Sequence, residues 1–391
     1  MISAFRFKYL GKISTKKHNR LHKYKKNIYI CQKRTKNFSD TPAFSQYLSP
    51  DSMNNNITIY DLAKELSTTA STVSRAFQDH PRISRKMKEK VWSLAKERGF
   101  QPNLAASQLR TGKGRVIGVI VPRIGRSFFS LLIESIENVV NEAGYSVLVA
   151  QSHELWEKEK QVLQAMMQKV DGLAISLAAD TIDYQHFDQA IEKGMPIVFF
   201  DRIPLFRHVN SVRIDDYAGA YDAVKHMIDR GCKRIAHLAG PQGISVYQQR
   251  QMGYVQALKE AGIPISEQLV YQCGITLEAG TKAAEQILSL PLDERPDAVF
   301  SSSDNSAMGL FKSLKNNNIK IPEDIAVVGF GNELFDEFVD PMLSSVDQRN
   351  VEMGIEVAKM LLEQMNLPIA DRKVKDIVLK PQLIIRKSSE K

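Results

Sequence analysis

The residue groupings in this 391-residue chain whose types and spacing could do chemistry are suited to recognition rather than to bond making. In the run Thr68-Thr69-Ala70-Ser71-Thr72-Val73-Ser74-Arg75-Ala76-Phe77, helical spacing puts Val73, Ala76 and Phe77 on one face and Ala70, Ser71, Ser74 and Arg75 on the other. Small polar groups beside one guanidinium suit base edges and phosphates, since short side chains allow close approach and arginine donates bidentately. Any capped amphipathic helix would also show a polar face. A second grouping lies further along, where Phe128 follows one apolar run and Asp201-Arg202 end another, PIVFF. Strand ends of open α/β sheets bind ligands, and a carboxylate with a guanidinium suits vicinal hydroxyls. The competing readings are plain core for Phe128, a surface ion pair for Asp201 and Arg202, and a helix anchor for Arg250. Cys31, Cys232 and Cys273 form no CxxC pair and the eight histidines no HExxH pair, so no metal and no cofactor is expected. Isolated cysteines suit a reducing, cytoplasmic setting.

The elements that must position these groups are legible in three stretches. Thr58 and Asp61 make a capping-box start for a helix over about 59–66, with Ile59, Leu62, Ala63 and Leu66 on one face. Thr69 is the expected N-cap of a second helix running to about Gln78. Ser84 starts a third, which buries Met87, Val91, Leu94 and Ala95 before Gly99 ends it. Three short helices around one core over 57–101 predict a helix-turn-helix domain. The segment 102–114, PNLAASQLRTGKG, has a helix start in Pro102 and Asn103 and places Ala105, Ala106 and Leu109 on one side. It is too short to be a stable helix alone, so it should order only against a partner, and Leu109 is suited to wedge a base step from the minor groove.

From 115 to 391 short apolar runs alternate with amphipathic segments. Expected strands are 115–121, 145–150, 172–176, 196–200, 234–238, 297–300 and 325–330, and several helices end as NEAGY, IEKGM, IDRGC and KEAGI, each with glycine just past the last turn. This strand-helix rhythm predicts parallel sheets, and its length predicts two doubly wound α/β lobes with a cleft between them.

Charge separates the same regions. The chain carries +9, but residues 1–52 hold 12 Lys/Arg against 2 Asp/Glu, leaving +6 on 53–113 and −7 on 114–391. The basic module ahead of an acidic body points to DNA at that end. Residues 1–52 show no sustained helical or strand period and are expected to be largely disordered. They read as a DNA-binding arm, as a targeting segment, or as sequence upstream of a true start at Met53; the last is favoured because Met53 opens directly into the capped helix. No apolar run is long enough for a membrane span.

TIYDLAKEL, STVSRAF, the downstream PN-xx-A-xx-L segment, GPQGISVYQQRQMGY and IAVVGF together resemble the lactose-repressor (LacI/GalR) family of bacterial transcription regulators, over about residues 57–388. The resemblance implies a homodimer, with a tetramer also open, on near-palindromic double-stranded operator DNA, with paired hinge helices in the minor groove and Leu109 prying a base step apart. Ala70, Ser71 and Arg75 then fall at base-reading positions, and Tyr60, Thr72 and Ser74 at phosphate contacts. With Thr69, Asn103, Ala106 and Leu109 these form the expected DNA-binding set. The body then corresponds to a periplasmic-binding-protein-like domain closing on a small-molecule effector, with Phe128, Ser176, Asp201, Arg202, Arg250, Ser303, Asn332 and Gln348 lining the cleft. Three departures stand out: Ser67 replaces a turn glycine, Gly331 and Asn332 replace two acids, and Ser303, read here as a helix N-cap, replaces an asparagine. Ligand identity therefore does not carry over from sugar-binding relatives; the effector expected remains a sugar or sugar derivative, with a nucleobase or a phosphoprotein co-regulator as alternatives.

Other function classes fare worse. The first strand runs into PRIGRSFF rather than a G-x-G-x-x-G loop, and neither a Walker A motif nor a G-x-S-x-G elbow is present, so an enzyme is not expected. A solute-binding protein would share the body but would need an export signal and no DNA-binding head.

Overall fold

The structure, a computed structural model, describes residues 57–77, 79–100, 114–204 and 208–391. Residues 57–100 and 114–391 belong to two separate compact units. The expectations for 1–52, for Gln78 and for the hinge over 102–113, including Asn103, Ala106 and Leu109, lie outside the described residues.

In the first unit, helix α1 (Ile59–Glu65) opens with the expected capping box. The Asp61 amide donates to Thr58 Oγ1 at 3.4 Å and the Thr58 amide to Asp61 Oδ2 at 2.8 Å, which satisfies donors the helix leaves open. Helix α2 (Ala70–Phe77) follows Thr69, whose hydroxyl accepts from the Thr72 amide at 3.2 Å. Helix α3 (Arg85–Glu97) is capped by Ser84, which accepts from the Met87 amide at 3.3 Å. Leu62, Val73, Ala76, Val91, Leu94 and Ala95 share one core, while Met87, expected inside, is half-buried at its edge. Ser67, in the turn between α1 and α2, has φ +49°. That turn does need a left-handed residue, and a serine there costs about 1 kcal/mol that glycine avoids.

The second unit contains two six-stranded sheets. The first lobe holds β1 (Val116–Val121), β2 (Ser146–Gln151), β3 (Gly172–Ile175), β4 (Ile197–Phe200), β5 (Ser211–Ile214) and β11 (Asp376–Leu379), in the order β2-β1-β3-β4-β5-β11. The second holds β6 (Ile235–Leu238), β7 (Val270–Tyr271), β8 (Ala298–Ser301), β9 (Ala326–Gly331), β10 (Ser344–Asp347) and β12 (Gln382–Ile384), in the order β7-β6-β8-β9-β10-β12. All pairings are parallel except β10 with β12. Each lobe thus repeats a doubly wound order whose direction reverses beside its first strand, where such sheets bind ligands.

The seven runs expected as strands are all strands. β5, β7, β10, β11 and β12 were not expected: they are short, and polar residues interrupt them, as in SVRI and SSVD. Helices α4 (Ser127–Glu142), α5 (Trp156–Met166), α6 (Asp188–Glu192), α7 (Asp216–Asp229), α8 (Ser245–Glu260), α9 (Leu277–Ser289), α10 (Asp304–Asn316) and α11 (Asn350–Asn366) cover the sheets. The glycines of the four repeated helix ends, Gly144, Gly194, Gly231 and Gly262, lie between φ +67° and +89°.

The chain passes between lobes three times. β5 leads into α7, which packs on α8; β10 leads into α11, which packs on α4; and β11 leads into β12. One apolar cluster runs through both lobes, from Ile117, Val119 and Val198 to Tyr254, Phe300 and Val328. Among the described residues no helix is long and apolar enough to cross a membrane.

Candidate functional site

On the first unit, burial of Val73 and Ala76 decides which way α2 faces. Tyr60, Thr69, Ser71 and Arg75 are exposed, and Thr72 and Ser74 are half-buried. Ala70 packs on the edge of the core. The Thr69 hydroxyl lies 2.9 Å from both Ser71 Oγ and Thr72 Oγ1, so one cap ties three hydroxyls of this surface together. The Arg75 side chain makes no hydrogen bond or ion pair among the described residues, which leaves its fork of donors available.

In the second unit a cavity of about 60 Å³ opens between the lobes at the carboxyl ends of the strands. Six expected residues line it: Phe128, Asp201, Arg202, Arg250, Ser303 and Gln348. Ser176 and Asn332 do not. Ser176 lies one layer behind and donates to Asp201 Oδ2 at 3.4 Å. The Asn332 side chain turns away, donating to Asp347 Oδ2 at 3.2 Å and accepting from Arg386 at 2.8 Å.

The charged residues of the cavity are individually constrained. Arg250 is buried and lies 3.6 Å over the Phe330 ring. It donates to Asp216 at 2.7 Å, to the Ser302 carbonyl at 2.8 Å and to Gln348 Oε1 at 3.0 Å, and so joins α8, α7, β8 and a lobe crossing. The anchor and cavity-lining readings of Arg250 therefore both hold. Arg202 is also buried, not part of a surface ion pair: it donates to Glu154 Oε2 at 2.6 Å, while its Nε makes no hydrogen bond and lies 3.9 Å from Asp201 Oδ2. Asp201, at φ +58°, is pushed up to about 6 by burial against the opposing pull of Arg202. Phe128 belongs to the core and the cavity wall alike.

Ser303 occupies the expected N-cap position of α10 and lines the cavity, but its hydroxyl makes no cap bond. Gly331 is explained, because a Cβ there would sit 2.7 Å from Asp304 Oδ2 at φ +145°, so the position has no room for a carboxylate side chain. Arg126, Tyr247, Ser302, Phe330 and Glu333 also line the cavity and were missed. Arg126 and Tyr247 sit inside quoted motifs, Ser302 directly follows β8 and Phe330 ends the IAVVGF run, while Glu333 lies two residues past β9. Ser127 Oγ donates to Glu333 across the cleft, bridging the lobes. Among the described residues no cluster of three metal-ligating side chains occurs.

A helix-turn-helix head and a two-lobed body with a polar cleft at its crossings define a ligand-responsive, DNA-binding transcription regulator. Residues 58–103 match the model of bacterial regulatory proteins of the lacI family, and 224–389 match the periplasmic binding protein-like domain. The chain is 34% identical over 312 residues to the HTH-type transcriptional repressor CytR of Escherichia coli (strain K12), covering 79% of this chain and 89% of that one. It superposes on the Lac repressor dimer bound to operator and the anti-inducer ONPF with TM-score 0.75 at 25% identity, over 85% of this chain and 99% of that one. A transcriptional regulator CelR–cellobiose complex matches with TM-score 0.64 at 27% identity, over 85% and 99%. The chain belongs to the LacI family, as its motifs implied.

Proposed function

We propose that the protein binds a near-palindromic operator as a homodimer and represses transcription under the control of a small-molecule effector, a sugar or sugar derivative, held between its lobes. The carrying observation is the cleft itself: Asp201 and the buried Arg202 and Arg250 face one cavity from both lobes, beside three crossings where the lobes can hinge. At about 60 Å³ that cavity is far below the roughly 300 Å³ of a typical ligand site, so an effector must part the lobes. On the head, Ala70, Ser71 and Arg75 read bases while Tyr60, Thr72 and Ser74 contact phosphates. Thr69, Asn103 and Ala106 complete the DNA-contacting set, and Leu109 is the minor-groove wedge of the hinge. Lobe movement changes the cost of ordering that hinge on DNA.

A thermal-shift screen of mono- and disaccharides, sugar phosphates and purines identifies the effector, since saturation at 100-fold over Kd adds about 2.7 kcal/mol of stability. Operator titration with and without each hit should show a 5- to 150-fold change in affinity, equivalent to about 1–3 kcal/mol of coupling. Hits that leave operator affinity unchanged would remove the regulatory reading of the cleft.

A further inference from the structure

The three helices that begin at the cavity all lack a side-chain cap. α4 starts after Arg126, α8 after Ile244 and α10 after Ser303, and none of these residues caps its helix through a side chain. Asp215 caps α7 and Thr276 caps α9 through their side chains, while α5, α6 and α11 also start without a side-chain cap. The starts of α4, α8 and α10 place Arg126, Phe128 and Phe129, then Val246 and Tyr247, then Ser302, Ser303 and Asn305 around one cavity. Each helix start carries about half a positive charge and open amide donors.

Independent observations point into the same space. Ser302 is fully buried and its hydroxyl has no partner. Arg202, also buried, has an Nε that makes no hydrogen bond and lies 3.9 Å from Asp201 Oδ2. Of the three guanidiniums lining the cavity, Arg202 faces Glu154 and Arg250 faces Asp216. The Arg126 side chain alone of the three makes no ion pair or hydrogen bond among the described residues. The two carboxylates of the wall each face a partner: Glu333 takes the Ser127 hydroxyl, and Asp201 Oδ2 lies 3.9 Å from Arg202 Nε.

We propose that the effector carries an anionic oxygen group, a phosphate or a carboxylate, seated where the starts of α4, α8 and α10 meet beside Arg126 and Ser302. Anions at helix starts are held by the open amides and the dipole together. Arg126 adds a full charge, and Ser302 and Ser303 add hydroxyl donors. Asp201 remains for the hydroxyls of the rest of the ligand. The proposal rests on the reading of the cleft as the effector site.

The test uses the full chain and inorganic phosphate, with acetate as the carboxylate arm and chloride at matched ionic strength as the reference. Melting temperature is followed against anion concentration for the wild type, Arg126→Gln and Ser302→Ala, each against its own baseline, so that general salting effects cancel. The expected result is a saturable rise in the wild type whose half-point moves at least tenfold higher in Arg126→Gln and also rises in Ser302→Ala. The arm that gives the larger rise identifies phosphate or carboxylate. Equal responses of all three proteins to both anions overturn the anion site. If neutral sugars still stabilise the wild type and Asp201→Asn weakens that response, the cleft reading survives alone; if no ligand response depends on any cleft residue, both fall.

Discussion

Arg75 is exposed on the outer face of a helix whose inner face is fixed by Val73 and Ala76, so its role depends on DNA and not on the fold. Arg75→Ala should cost about 1–3 kcal/mol of operator affinity and relax specificity at one base pair of each half-site, with head stability unchanged. Equal loss on operator and random DNA in a binding titration would assign it to phosphate instead. His237 makes the opposite kind of prediction, because it is wholly internal. It is stacked between Tyr254 and Phe300, with ring centroids 4.8 and 5.0 Å away, and burial holds it down to about 4. An unfolded histidine titrates near 6.5, so below that pH the unfolded chain takes the proton first. The contribution of His237 to stability, read as the difference between wild type and a variant lacking the imidazole, should therefore be full above pH 6.5 and fall by about 1.4 kcal/mol per unit as the pH drops toward 4. Denaturant midpoints of wild type and His237→Asn across pH 7 to 4.5 check this, and parallel slopes would refute it. Residues with a strand-end or motif position, such as Asp201 and Arg250, were legible in the sequence. Arg126 and Ser302 were not, because what distinguishes them is the absence of a partner, and that exists only once the chain is folded.

Capped helices announce themselves locally, which is why α1, α2 and α3 were readable to within a residue or two. Thr58, Thr69 and Ser84 bond to amides three positions on, so sequence spacing and geometry are the same information. The edge strands lack such a signal: VY in β7 and QLI in β12 pair because neighbours across the sheet recruit them. Helix contacts are intermediate in legibility. Gly253, inside the RQMGY motif, lies where α8 meets α7, and a Cβ there would be 2.3 Å from the Tyr217 carbonyl and 2.9 Å from the Tyr221 amide. Backbone cannot yield as a side-chain tip can. Gly253→Ala should destabilise the body by about 1–3 kcal/mol or more by forcing the helices apart, despite alanine's better helix propensity. A thermal melt at or above the wild-type midpoint would show that the interface can slide.

At the scale of the whole molecule, two lobes of matching strand order were foreseeable from the strand-helix rhythm, but their interleaving was not. The last residues of the chain serve both lobes: β11 completes the first sheet beside β5, and β12 completes the second beside β10. Beyond them the Ser388 hydroxyl donates to the Val327 carbonyl at 2.6 Å and accepts from the Ser344 amide at 2.8 Å, all of it buried. Deleting residues 376–391 should therefore lower the melting temperature of both lobes together, and hydrogen exchange should accelerate in β5 and in β10 alike. Acceleration confined to one lobe would contradict the shared role. During synthesis, then, neither sheet gains its final edge until the codons for residues 376–384 are read. A message cut short before them yields a product flawed in both halves, one that proteases can recognise before it ever reaches a promoter.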